Sequence, residues 1–185
     1  KRLDPKSMYS EFDTQDKDFS ITYLNEQLQL LNLQFYSPLF FVHKHLQPKY
    51  AEKYDTITKN GTKFSQLERE ESIITLMRVN LLKRLESSIH SFCLTLNSVL
   101  NRINFLIDKI DNHKEFLDDV DIMDLDFDDE ELRDSVIGGK VKVLLQDIDQ
   151  VKMKGYLEAD KSIIEKLLGR CEEITVNRDQ KLKDL

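Results

Sequence analysis

The acidic run at positions 124–128 comes nearest to a metal-binding motif in this chain. Asp124, Asp126 and Asp128 have the spacing that opens an EF-hand calcium loop. The place of the sharp-turn Gly holds Asp129, and the place of the bidentate Glu holds Ser135. We therefore expect an acidic loop here instead of a calcium site.

A second group holds the residue types of a hydrolase triad: Glu86, Ser87, Ser88 and His90. Consecutive positions on one helix fan out around its axis, so these side chains cannot converge on a substrate. His43 and His45 lack a third ligand nearby, which favours a surface pair over a metal site. No phosphate-binding loop of the form GxxxxGK[ST] occurs in the sequence, and we expect this chain to contain no catalytic, cofactor-binding or metal-binding residue.

A polar stripe is the remaining candidate for function. Five residues form it, at helical spacing: Asn80, Lys83, Arg84, Ser87 and Ser91. Serines allow another backbone to come close, while Asn and Arg donate directed hydrogen bonds. The stripe is therefore a candidate docking surface, although the same residues also fit the solvated back of an ordinary helix.

An apolar seam lies on the other side of the same helix. Its residues recur every three or four positions: Ile74, Met77, Leu81, Leu85, Ile89, Phe92, Leu96, Val99, Ile103, Leu106 and Ile110. Three successive steps of four between Met77 and Ile89 predict a change of packing register, which a break of the helix near Leu81 to Leu85 would fit. Arg78 falls on the apolar side and is a candidate buried polar residue, which either extends outward or meets a carboxylate such as Asp160.

The helical spacing of the polar stripe and of the apolar seam predicts an all-α fold. The expected architecture is an elongated antiparallel helical bundle with one very long helix, a return helix and an acidic loop. Residues 1–64 form an N-terminal arm with short helices, and the long helix occupies residues 65–117 behind a capping box that starts at Ser65. An acidic loop follows at 118–140, and residues 141–185 supply the return helix.

Smaller segments have their own signals. Ile21, Leu24, Leu28 and Leu31 mark a short amphipathic helix, and the aromatic run at 36–42 is apolar enough to cover one end of the bundle. Asn60-Gly61 is a turn signal. The alternating run from Val141 to Leu145 fits a short strand, but an extended loop is the expected form.

Composition sets the class of protein. The chain has 185 residues with few Gly, three Pro and no Trp, which favours a helical domain. Its net charge of −7 comes from residues 118–134, which hold ten acidic residues and one Arg, so autonomous DNA binding is not expected. No apolar run has the length of a membrane span. Cys93 and Cys171 form no C-x-x-C pair, which indicates neither a disulfide framework nor a zinc site and favours a reducing, cytoplasmic setting.

The run Arg78-x-Asn80-Leu81-Leu82-Lys83-Arg84-Leu85-Glu86-Ser87-Ser88, followed by Phe92, resembles a segment of bacterial superfamily-two DNA helicases. These helicases are of the Swi/Snf type, especially those that also carry a phospholipase-D-like nuclease domain. Flanking segments at 33–39, 53–54, 68–70 and 177–185 are similar to the same family. The resemblance covers most of residues 30 to 185, and its specific part is Arg-Leu-Glu-Ser-Ser.

The resemblance implies a helical insertion between the two RecA-like lobes of an ATP-dependent helicase. The chain does not begin with Met, and we expect it to be part of such a longer protein. ATP and Mg²⁺ would then bind the parent protein, and DNA would be contacted through it. The implied partners of the insertion are the lobes of the same chain, with no membrane involved.

Two other interpretations remain open. One is an independent helical adaptor whose acidic loop recruits a basic partner, which predicts a complete gene product of about this size. The other is a weak DNA-contacting module built around Lys83, Arg84 and Arg102, which predicts salt-sensitive DNA binding.

Overall fold

The computed structural model describes residues 21–57, 60–61, 63–112, 119–121 and 141–172. This part of the chain is mostly helical, and its helices pack antiparallel, which confirms the predicted all-α bundle. Five α-helices form it: α1 (Ile21–Leu30), α2 (Gln47–Tyr54), α3 (Gln66–Ser87), α4 (Ile89–Asp111) and α5 (Gln150–Glu172). Short 3-10 helices lie at Gln34–Tyr36, Pro38–Phe41 and Leu145–Asp147.

Two short antiparallel strand pairs complete the described fold. β1 (Thr56–Ile57) pairs with β2 (Lys63–Phe64), and Gly61 takes a positive φ of 79° in the turn that Asn60-Gly61 predicts. β3 (Asp119–Asp121) pairs with β4 (Lys142–Leu144), with Val120 opposite Val143. The segment expected to be an extended loop is therefore a strand. Its alternation is explained by burial, because Val141, Val143 and Leu145 are all buried.

The predicted long helix over residues 65–117 is divided into α3 and α4. Ser88 separates the two helices with extended backbone angles, φ −164° and ψ 152°. Its hydroxyl accepts the Ser91 amide N–H at 3.0 Å, which is the bond of a helix N-cap. The break lies just past the predicted change of register. Because α3 then packs against α4, which packs against α5, the chain buries its seams within three antiparallel helices instead of one rod and one return helix.

The predicted apolar seam is confirmed on α3 and α4. Ile74, Met77, Leu81 and Leu85 are buried on α3, and the buried residues of α4 are Phe92, Leu96, Val99, Ile103 and Leu106. Ile89 and Ile110 are half-buried at the two ends of α4. α5 contributes Met153, Leu157, Ile164, Leu167 and Cys171 to the same core.

The part of the N-terminal arm that is described packs into the core. Leu24 and Leu28 of α1 are fully buried. Most of the aromatic run at 36–42 is also buried, with Phe41 2% exposed, and Phe35 just before the run is 1% exposed. Ser37, which precedes Pro38, leaves helical geometry as expected, with φ −124° and ψ 71°. Residues 21–54 therefore form a layer of the bundle and do not project from it.

α3 starts where the sequence predicts it, but the group that caps it is not the predicted Ser65. The Ser65 side chain makes no capping bond. The Asp55 carboxylate, which follows α2, accepts the Gln66 amide N–H at 2.8 Å instead. A carboxylate at this position also favours the positive end of the helix.

A disulfide joins Cys93 to Cys171, with their Cα atoms 6.3 Å apart, so the expectation that these cysteines form no disulfide framework is wrong. The cysteines are 78 positions apart in sequence, but the antiparallel packing of α4 and α5 brings them together. At the other end of these helices Lys154 pairs with Asp111. Since structural disulfides are rare in reducing compartments, the cysteines no longer favour a cytoplasmic setting.

None of the helices in the described ranges has the length and apolar character needed to cross a membrane. The segments outside the described part of the chain include the residues before Ile21, most of the acidic loop at 118–140, and residues 173–185. The EF-hand-like run at 124–128 lies there as well.

Candidate functional site

The corner between α3 and α4 places the predicted docking residues on two helices. The last two turns of α3 carry four of them: Asn80, Lys83, Arg84 and Ser87. Ser91 lies past the break, and both its amide N–H and its hydroxyl bond to the Ser88 hydroxyl, at 3.0 Å and 3.1 Å. Ser91 is therefore part of the cap of α4 and not the end of one continuous stripe.

The outer side of α3 is a mixed polar and apolar surface. Lys83 and Ser87 are exposed, and Asn80 and Arg84 are half-buried. Leu76 and Val79 extend this side toward the helix start, with 39% and 44% of their surfaces exposed. We call these six residues the α3 docking surface: Leu76, Val79, Asn80, Lys83, Arg84 and Ser87.

Arg84 is the residue of this surface whose charge has no counterpart among the described residues. Within the described ranges, no hydrogen bond or ion pair of its side chain is found. A guanidinium presents five N–H donors in a fixed planar arrangement, which suits carboxylates and phosphates. Half-burial without an acceptor leaves these donors available for a group outside the described chain.

Asp160 is a buried carboxylate that links α5 to the connection after α1. This residue of α5 is only 1% exposed, and its carboxylate accepts the backbone N–H groups of Asn32 and Leu33, each at 2.7 Å. The Asn32 side chain adds a third bond at 3.0 Å. Leu33 has a positive φ of 54°, so the carboxylate fixes the chain in a conformation that bulky residues seldom adopt.

Arg78, the candidate buried polar residue of the sequence, lies beside this carboxylate and is half-buried. Its Nη2 donates to the Leu31 carbonyl oxygen at 2.8 Å. Burial raises the pKa of Asp160, while its N–H donors and the charge of Arg78 act in the opposite direction. Arg78 and Asp160 thus fix the connection after α1 from two sides, which is a structural role.

Glu70 is a second buried carboxyl, and the sequence does not predict it. Its side chain is 0% exposed, and Oε2 accepts the Ser37 hydroxyl and the Leu39 N–H, each at 3.1 Å. Its Oε1 is buried without a partner in the described structure. Burial raises the pKa of Glu70 to about 8, against the lowering effect of its hydrogen bonds.

A tyrosine pair on α2 binds the strand β4. The Tyr54 hydroxyl accepts the Lys142 N–H and donates to its carbonyl oxygen, both at 2.9 Å. The Tyr50 hydroxyl donates to Asp147 at 2.8 Å and accepts the Leu144 N–H at 3.3 Å. Burial is the main cause that raises the pKa of Tyr50 to about 12, so this hydroxyl remains a donor at neutral pH.

The chemical groups weighed in the sequence do not form a reactive centre within the described ranges. The rings of His43 and His45 stack 5.8 Å apart on the surface, and no cluster of three metal-ligating residues is found in this part of the chain. The Ser88 hydroxyl is used as a helix cap. The carboxylate of Asp160 and the Oε2 atom of Glu70 accept hydrogen bonds from backbone and side-chain donors of the fold.

Sequence patterns miss two features in particular: the helix cap formed by Ser88 and the burial of the Glu70 carboxyl. Ser88 follows a change of register and stands three positions before Ser91, which is a weak N-cap signal. Glu70 has the pattern of an exposed residue in the first turns of a helix. Its burial depends on the turn at Ser37, which is distant in sequence.

Comparison of the chain with protein-family models, with curated proteins and with solved structures finds no match in any of the three.

Proposed function

We propose that this chain is a helical insertion module of an ATP-dependent superfamily-two DNA helicase or translocase, and that it positions the two motor lobes on DNA. The proposal starts from the resemblance of residues 78–92 to Swi/Snf-type helicases. In this role the module itself performs no chemistry, and ATP, Mg²⁺ and DNA are bound by the rest of the parent protein.

The observation that carries the proposal is the position of Arg84. Its half-buried guanidinium stands on the outer side of α3, one turn before the corner at Ser88, and lacks a partner within the described ranges. The most specific part of the resemblance, Arg84 to Ser88, is also the segment that forms this corner. A guanidinium beside this corner, with no partner among the described residues, suits contact with a carboxylate of a neighbouring lobe.

The neighbouring Leu76 and Val79 give the α3 docking surface an apolar part. Interfaces between domains of one chain commonly combine such apolar contacts with directed polar bonds. Arg84 would then fix the orientation of the module, and Leu76 and Val79 would contribute apolar contact area to the interface.

The first experiment is to read the gene on both sides of this segment. The proposal expects one long reading frame, with Walker motifs upstream and a second RecA-like lobe downstream. A complete gene of about this size would contradict it and would favour the adaptor interpretation.

The second experiment is Arg84→Glu in the intact protein, with DNA-stimulated ATP turnover as the readout. Loss of a charge-assisted hydrogen bond of about 1.5–3 kcal/mol corresponds to a roughly ten- to hundredfold loss of stimulation. Turnover without DNA should stay unchanged. Lys166→Glu, the same charge reversal at an exposed position of α5, is the matched control. Full stimulation in the Arg84 variant would reject the docking role.

A further inference from the structure

The side of α4 opposite its buried seam is exposed and uncharged over three turns. Its exposed residues between positions 94 and 105 are Leu94, Asn97, Ser98, Asn101, Asn104 and Phe105. We call these six residues the α4 outer face. Leu94 and Phe105 are 58% and 48% exposed, and their separation of 11 positions places both within about 20° around the helix axis.

The absence of charge distinguishes this face from the other long helices. Exposed positions of α3 include Glu68, Glu71 and Lys83, whereas those of α5 include Lys152 and Glu165. In a chain with 33% charged residues, a solvated helix face is expected to carry several of them. Depletion of charge together with an exposed aromatic ring is the composition of an interface core.

The asparagines of this face also point to a partner. Asn is among the poorer helix formers, and Lys or Glu would serve a solvated helix better. Asn97 donates to the Cys93 carbonyl oxygen at 3.0 Å, but no intrachain bond of the Asn101 and Asn104 side chains is found among the described residues. Their amides can both donate and accept, so a row of asparagines is complementary to another such row.

We propose that the α4 outer face binds the same face of a second copy of this chain, with the two helices antiparallel. The net charge of −7 comes from residues 118–134, and the α4 outer face itself carries no charged residue, so two α4 outer faces meet without like charges opposed. Leu94 and Phe105 are equally far from the midpoint of the face. An antiparallel pair therefore brings each Leu94 against the Phe105 of the other copy, twice in one symmetric contact.

The charges at the edge of the face are compatible with this pairing. Arg102 and Lys109 flank the Phe105 ring, with Arg102 Cζ and Lys109 Nζ at 5.9 Å and 5.2 Å from its centroid. Asp108 comes opposite the first turn of α4 in the second copy, where a helix favours negative charge. One helix face is smaller than the about 800 Å² per partner of a stable complex, so the dimer is weak, with a Kd on the order of 100 µM.

The test is sedimentation velocity of the 185-residue chain at concentrations from about 10 µM to 1 mM. The weight-average mass should rise from the 21.8 kDa of one chain toward twice that value. Asn101→Glu and Asn101→Lys should each weaken association at least about tenfold, because each places two like charges close to the symmetry axis. An equimolar mixture of the two variants should associate nearly as well as the unaltered chain, since opposite charges then meet.

The mixture separates pairing from misfolding, because two misfolded variants would not restore each other. Far-UV circular dichroism checks that both variants keep their helical content, and Ser162→Glu on the exposed side of α5 is the control that should leave association unchanged. A constant mass of one chain over the whole range, or a mixture no better than its components, would overturn the proposal. Association that requires an added DNA oligonucleotide would also overturn it and would assign the face to nucleic acid.

Discussion

Raising the pH should destabilise this fold through Glu70 well before alkaline conditions are reached. The carboxyl of Glu70 is buried beside the Ser37 hydroxyl and the Leu39 N–H, and its pKa is raised from the ordinary value of 4.5 to about 8. The unfolded chain releases this proton above pH 4.5, whereas the folded chain holds it until about pH 8. The contribution of the protonated Glu70 to the free energy of unfolding is therefore complete below pH 4.5 and is lost as the pH rises through about 8.

The size of the effect follows from the two pKa values. Each pH unit between the two pKa values lowers the free energy of unfolding by about 1.4 kcal/mol, so the gap of about 3.5 pH units corresponds to nearly 5 kcal/mol in total. Because the titration is gradual at both ends, the free energy of unfolding should fall by about 3 to 4 kcal/mol between pH 5 and pH 8 through Glu70 alone. Asp160, whose pKa burial also raises, acts in the same direction.

The assay is urea denaturation followed by circular dichroism at pH 5, 6, 7 and 8, without reductant, in the unaltered chain and in Glu70→Gln. The amide keeps a carbonyl oxygen for Ser37 and Leu39 but does not titrate. Its N–H₂ group takes the unpartnered side of the carboxyl, so the variant carries a constant penalty of about 1–3 kcal/mol. The slope with pH, and not the absolute stability, is therefore the readout.

Glu71→Gln, a change of the same kind at an exposed neighbouring position, should keep the slope of the unaltered chain. A stability that stays level between pH 5 and pH 8 would refute the reasoning. So would a Glu70→Gln variant whose stability falls with pH as steeply as that of the unaltered chain.

Two further predictions concern stability. Ser88→Ala removes the cap of α4 and should lower the free energy of unfolding by about 1 kcal/mol. Ser88→Asp can still cap the helix and should lower the free energy of unfolding by less. Equal denaturation midpoints for the alanine variant and the unaltered chain would argue against the cap. Reduction of the disulfide between Cys93 and Cys171 opens a loop of 78 residues and should cost about 4 kcal/mol, measured as urea midpoints with and without dithiothreitol. Cys93→Ser should be insensitive to dithiothreitol, and an unaltered chain that is equally insensitive would contradict the disulfide.

The helical seams could be predicted from the sequence because burial repeats with the helical period. Leu81, Leu96 and Ile103 are fully buried as expected, and so are Leu24 and Leu28 of α1. Their positions depend on local periodicity alone. The same pattern located the change of register before Ser88, but it carries no information on whether a helix continues or reverses there.

The candidate site could be predicted less well, because its features depend on contacts between distant segments. Arg84 and Lys83 were found by their spacing, but Ser91 could not be separated from them without the corner at Ser88. The pairing of Cys93 with Cys171 and the burial of Glu70 each join residues more than 30 positions apart. Periodicity within one helix does not detect such pairs.

The tyrosine pair of α2 has a consequence for how this protein meets other chains. β4 is held on one side by β3, and the other edge of a strand ordinarily offers free N–H and C=O groups to any extended peptide. Here Tyr54 occupies both backbone groups of Lys142, and Tyr50 occupies the N–H of Leu144. Two phenol rings thus take the place of a third strand and protect this edge from strand addition, the first step of β-aggregation.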